Sequence, residues 1–125
     1  MCEVLPDGAQ DTGYGLMGGL VRLPVKDRDI LIFSNIESPS GRHHGTVWAS
    51  FDGGKTWPLK RLVTAGSFAY SSLDAGRPGT KSEGWIYLLS EGGGANVARF
   101  NLSWVLKGEK TGDGEVPRWI AEEAR

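Results

Sequence analysis

The residues able to do chemistry in this chain are few, and several of them exclude more than they suggest. Cys2 is the single cysteine in 125 residues, so no intramolecular disulfide can form and nothing supports a cysteine-built metal site. His43 and His44 are neighbours, and neighbours on a regular strand point to opposite faces. With no further metal-ligand spacing around them, they read as loop residues beside a binding site rather than ligands, and no metal or cofactor is expected. Arg42 carries a planar guanidinium whose paired donors suit a carboxylate. Tyr70 carries a phenol, a weak acid that needs a base before it can act as a nucleophile. Taken singly, Arg42 reads as a solvated loop cation, Tyr70 as a strand aromatic with a satisfied hydroxyl, and Glu91 as an exposed carboxylate.

One stretch has a defined local shape. Ser50-Phe51-Asp52-Gly53-Gly54-Lys55-Thr56-Trp57 has the form S-x-D-x-G-x-T-W. The aspartate can accept hydrogen bonds from backbone N–H groups of its own turn. The glycine permits positive φ, and the tryptophan opens the following strand with its ring over the turn. These residues staple a hairpin; they are not a catalytic device.

The elements that would carry these residues are short and extended. Strands are expected at 19–23, 29–34, 46–51, 57–63, 68–73, 85–90 and 96–102, separated by Gly-, Pro- and Asp-rich turn signals. Glycine is abundant, at 19 residues, and its scatter among Val/Ile/Trp/Tyr/Phe runs points to many tight turns. No segment before Val105 has a helical period. Residues 107–115 read as a polar linker, and Pro117 opens either a short helix through Glu123 or a frayed tail. The division is therefore a β domain at 1–106 and a polar tail at 107–125. A net charge of −1 gives no reason to expect a nucleic-acid partner. The longest apolar run, at 30–33, is too short to span a bilayer. The fold class is all-β and antiparallel, a sandwich or a propeller.

The turn motif resembles the Asp box of sialidases (neuraminidases), which other β-proteins also carry. More segments resemble the same family in the same order. Leu31-Ile32-Phe33-Ser34-Asn35 is similar to the strand before its last active-site arginine. Gly41-Arg42 with Gly45-Thr46-Val47-Trp48 is similar to that arginine and the next strand. Ala69-Tyr70-Ser71-Ser72-Leu73 resembles the segment of the nucleophilic tyrosine. Ile86-Tyr87-Leu88-Leu89-Ser90-Glu91-Gly92 and Phe100-Asn101-Leu102-Ser103-Trp104 resemble the strands closing the catalytic domain. The likeness runs from about residue 16 to residue 106.

This resemblance implies four-stranded antiparallel blades, about two of the six in a sialidase propeller, with the Asp box joining a blade's third and fourth strands. Alternating hairpin ends then put Arg42, Tyr70 and Glu91 on one rim and the Asp box on the other. It further implies a retaining exo-α-sialidase acting on sialoglycoconjugates, with Tyr70 as nucleophile, Arg42 on the substrate carboxylate and Glu91 orienting an arginine. Two more arginines, an acid/base aspartate and the tyrosine's glutamate partner precede this region in the family. Glu3 and Asp11 lack the surrounding motif, so the chain is expected to be part of a longer propeller and inactive alone. Export from the cell is usual for the family, although no signal segment is visible. The rival readings are a non-catalytic Asp-box propeller that binds glycan or protein, and a sialidase-like enzyme acting on another carboxylated sugar.

Overall fold

The computed structural model describes residues 5–6, 16–38 and 40–120, so Cys2, Glu3 and Asp11 lie outside the described residues. The chain runs β1 (Gly19–Arg22), β2 (Leu31–Ile36), β3 (His43–Ser50), β4 (Leu59–Ser67), β5 (Ser71–Ala75), β6 (Trp85–Glu91), β7 (Ala95–Asn101), α1 (Leu102–Leu106) and β8 (Glu109–Lys110). It folds as two antiparallel sheets, ordered β1-β2-β3-β4-β8 and β5-β6-β7.

Strand alternation decides what each face does. On β2, Leu31 and Phe33 point one way and meet Trp48 and Trp57 in a small aromatic cluster. Ile32, Ser34 and Ile36 point the other way, on the side of the main core. There the second sheet contributes Leu73, Ile86, Leu88 and Phe100, which share that core with Val47, Ala49 and Leu59 of the first. All six β2 residues are therefore buried, as expected of a strand covered on both faces. At one point the sheets need a missing side chain: a Cβ on Gly45 would come within 2.2 Å of the Phe68 ring, which lies there almost fully buried.

Three expectations need correction. The first sheet has β8 as a fifth strand, because 109–110 pair with Leu59 and Lys60. Residues 107–115 thus pack on the sheet where polar composition suggested a linker. Thr111 donates its hydroxyl to the Trp57 carbonyl (2.6 Å), and an Asp113 oxygen accepts the Trp57 N–H (3.0 Å). Second, β4 runs to Ser67, through the Ala65-Gly66 pair that looked like a turn. It does so because β3 starts early, at His43, and pairs back to Ser67 through register shifts. Third, a short helix follows β7. Its cap is Asn101, whose side chain accepts the Trp104 N–H, and it buries Val105 and Leu106. Five residues are too few to show a helical period. At 117–120 the chain makes a single turn that closes on Ile120, a core residue; the remainder of the expected tail helix lies outside the described residues.

Candidate functional site

The stapled turn sits between β3 and β4 and satisfies itself. One Asp52 oxygen accepts from the Ser50 hydroxyl (2.9 Å), the Lys55 N–H (3.0 Å) and the Thr56 N–H (2.9 Å). The other accepts from the Thr56 hydroxyl (2.6 Å), and the Ser50 oxygen accepts from the Gly54 N–H (2.9 Å). Gly54 holds φ of +92°, which side-chain-bearing residues rarely adopt. Burial by itself raises the Asp52 pKa, but the bonds from Thr56, Ser50 and Lys55 together hold it below its ordinary value. Trp57 is buried beyond the turn. No chemical role is left over for these residues.

The opposite end of the meander collects the other named residues. Arg42 immediately precedes β3, Tyr70 immediately precedes β5, and Glu91 ends β6. The Arg42 guanidinium carbon lies 5.4 Å from the centre of the Tyr70 ring, within cation–π range. Tyr70 is 44% exposed, so its ring faces solvent while its backbone is tied down. The Ala69 N–H donates to the Glu91 carbonyl (2.8 Å), and the Glu91 N–H donates to the Tyr70 carbonyl (3.0 Å). On either side, the Phe68 N–H donates to the Arg42 carbonyl and the Ser71 N–H to the Met17 carbonyl, both at 3.0 Å. Four residues around the phenol are thereby pinned to three separate segments.

A hollow of ≈330 Å³ opens beside the phenol, lined by Met17, Ser72, Leu89, Ser90, Glu91 and Ala95. A guanidinium over an exposed phenol, next to such a space, can hold a planar anion and present a hydroxyl to the atom that bears it.

His43 and His44 differ from expectation. They start β3 rather than lying in a loop, and their rings touch through their Nδ1 atoms. A regular strand would part them, but His44 holds φ of +61° beside a register shift, and this brings the rings together. His43 Nε2 also meets the Ser38 hydroxyl at 3.0 Å. Among the described residues no group of His, Cys, Asp and Glu could hold a metal ion.

Residue-type reasoning passed over Met17, whose carbonyl accepts the Ser71 N–H, and Ser34 and Ser71, whose hydroxyls meet inside the core. The clue to the serines was parity: both alternate onto apolar core faces, where a hydroxyl needs a partner.

The fold and the rim together describe part of a sialidase-like β-sheet assembly. No family model matches the chain. It is 41% identical over 76 residues to the "Sialidase" of Micromonospora viridifaciens, a match covering 61% of this chain and 11% of that protein. Hadza microbial sialidase Hz136 superposes on it with a TM-score of 0.61 at 28% identity, over 73% of this chain and 18% of the other. The chain is similar to part of these sialidases, and it spans only a small part of their length.

Proposed function

We propose that these residues form part of the active site of a retaining exo-α-sialidase, in which Tyr70 is the nucleophile and Arg42 binds the substrate carboxylate. The observation that carries this reading is the Arg42 guanidinium lying 5.4 Å from the Tyr70 ring centre on an exposed rim. Sialic acids bear their carboxylate on the anomeric carbon. A carboxylate nucleophile approaching that carbon to ~4 Å meets like-charge repulsion of about 4 kcal/mol at an effective dielectric near 20. A phenol approaches without that charge, and a tyrosine nucleophile is the known sialidase exception among glycosidases. The guanidinium grips the carboxylate with paired donors and so aligns the reacting carbon.

In this reading Tyr70 attacks the anomeric carbon, the bond to the leaving-group oxygen breaks, and water then releases sialic acid from the tyrosyl adduct. The phenol needs a base and the leaving oxygen an acid. Those groups and the further arginines come from polypeptide outside these 125 residues, and Glu91 helps to orient one of the arginines. The substrate class is terminal sialosides of glycoconjugates, as the names of the relatives suggest.

The test is covalent trapping. The polypeptide containing these residues is treated with a 3-fluorosialosyl fluoride, digested, and searched by mass spectrometry. An adduct on Tyr70 is the expected result. Turnover of sialosides with the adduct on any carboxylate removes Tyr70 from the mechanism. Sialic acid binding with neither turnover nor adduct favours the non-catalytic reading.

A further inference from the structure

We infer that Ser34 and Ser71 are positioning residues, a buried hydroxyl pair that sets the place of Tyr70; this rests on Tyr70 being the nucleophile. Ser34 lies in β2 of the first sheet and is fully buried, and Ser71 opens β5 of the second and is 7% exposed. Their oxygens are 2.8 Å apart across the two sheets. The Gly19 N–H donates to the Ser34 hydroxyl oxygen (3.1 Å), and the Ser71 hydroxyl also lies 3.5 Å from the Ser34 carbonyl. One assignment uses every hydrogen. Gly19 donates to Ser34 Oγ, Ser34 donates to Ser71 Oγ, and Ser71 donates back to the Ser34 carbonyl.

The surroundings make this pair consequential. Ile32, Ile36, Phe68 and Leu73, which accompany it, are apolar core residues. Apolar contact is non-directional and by itself prescribes no single bonding geometry between the two sheets. A hydroxyl pair is directional, and separating it would strand two buried polar groups. Ser71 is the next residue after Tyr70, and its own N–H is held by the Met17 carbonyl. The Tyr70 carbonyl is held by Glu91 at the end of β6, the strand paired with β5 in the same sheet. The hydroxyl pair is a buried side-chain link that fixes this strand to the sheet whose third strand follows Arg42. Nucleophile and carboxylate anchor are thereby kept in register, which matters because a misplacement of about 1 Å can cost on the order of 100-fold in rate.

The experiment compares Ser34→Ala, Ser71→Ala and the double variant. The full 125-residue chain is labelled with 3-fluorotyrosine, and the Tyr70 ¹⁹F resonance is assigned by its loss in Tyr70→Phe. Arg42→Ala is the control for contact with the guanidinium. The double variant removes both hydroxyls but leaves the buried Gly19 N–H without its acceptor, so it should lower the melting temperature modestly and keep the fold. It should nonetheless displace or broaden the Tyr70 resonance. In the sialidase-active polypeptide it should lower kcat about tenfold or more while leaving KM near the parent value. A double variant with the parent resonance and the parent kcat overturns the proposal. If the double variant unfolds, Ser34→Ala alone decides by the same two readings. Failure of the sialidase reading would show as trapping away from Tyr70, which leaves the ¹⁹F comparison standing, so the two failures are told apart.

Discussion

The two ends of the β2–β3–β4 meander are built by opposite means. At the Asp52 end, side chains close on their own turn, and the bonding partners lie within a few residues of one another. At the Arg42 end, the backbone around Tyr70 is held by main-chain groups of Arg42, Glu91 and Met17, all distant in sequence. The first end spends its polar side chains on shape. The second fixes shape with the backbone and leaves a guanidinium and a phenol turned outward. Side-chain bonding within the turn and main-chain bonding between distant segments are thus separated by strand end.

The comparison can be broken most sharply at Tyr70. Tyr70→Phe should cut sialoside turnover by on the order of 10³-fold or more while leaving the melting temperature in place. Unchanged turnover would mean that the outward phenol serves only surface packing. Arg42→Ala should weaken binding of sialic acid by about 2–3 kcal/mol, the worth of a charge-assisted pair of hydrogen bonds, as read by calorimetry. Equal affinity in the variant would detach Arg42 from the carboxylate.

Effects at the other end should fall on stability and leave turnover alone. Asp52→Ala removes the acceptor of four hydrogen bonds, but the turn is solvent-exposed, so about 1 kcal/mol is expected in chemical denaturation. Its pH dependence has a definite sign. The folded pKa lies below the ordinary 3.8, so this stabilisation is fully present above that value and is lost as pH falls through the folded pKa. Parent and variant stability curves should therefore converge in acid; a constant gap would contradict the assignment. The smallest effect is expected at Lys60, bound to Glu37 at 2.7 Å with Glu109 at 3.7 Å. The Glu37 bond outweighs burial and raises the Lys60 pKa, so the pair's contribution is present below 10.5 and fades at higher pH. Lys60→Met should cost about 0.5 kcal/mol or less at neutral pH, measured by thermal melting.

Much of this architecture was legible because alternation and turn chemistry are local signals. The order of the strands, the stapled turn and the shared rim of Arg42, Tyr70 and Glu91 followed from periodicity, motif resemblance and the parity of a meander. What escaped was set by tertiary contacts. Strand β8 exists because Leu59 and Lys60 offer an edge, and nothing in Glu109–Lys110 announces a strand. The extension of β4 to Ser67 depends on the early start of β3, and the contact between His43 and His44 on one positive φ. The buried serine pair was invisible singly, since Ser34 and Ser71 are ordinary strand residues until the two sheets are stacked.

The tether between Glu91 and the Tyr70 segment uses only an amide hydrogen and a carbonyl oxygen of residue 91. Such an attachment is indifferent to what hangs from that α-carbon, with proline as the exception because it has no hydrogen to donate. Position 91 is therefore a place where the charge of the neighbouring hollow can be rewritten, to acid, base or neutral amide, without shifting the phenol it anchors.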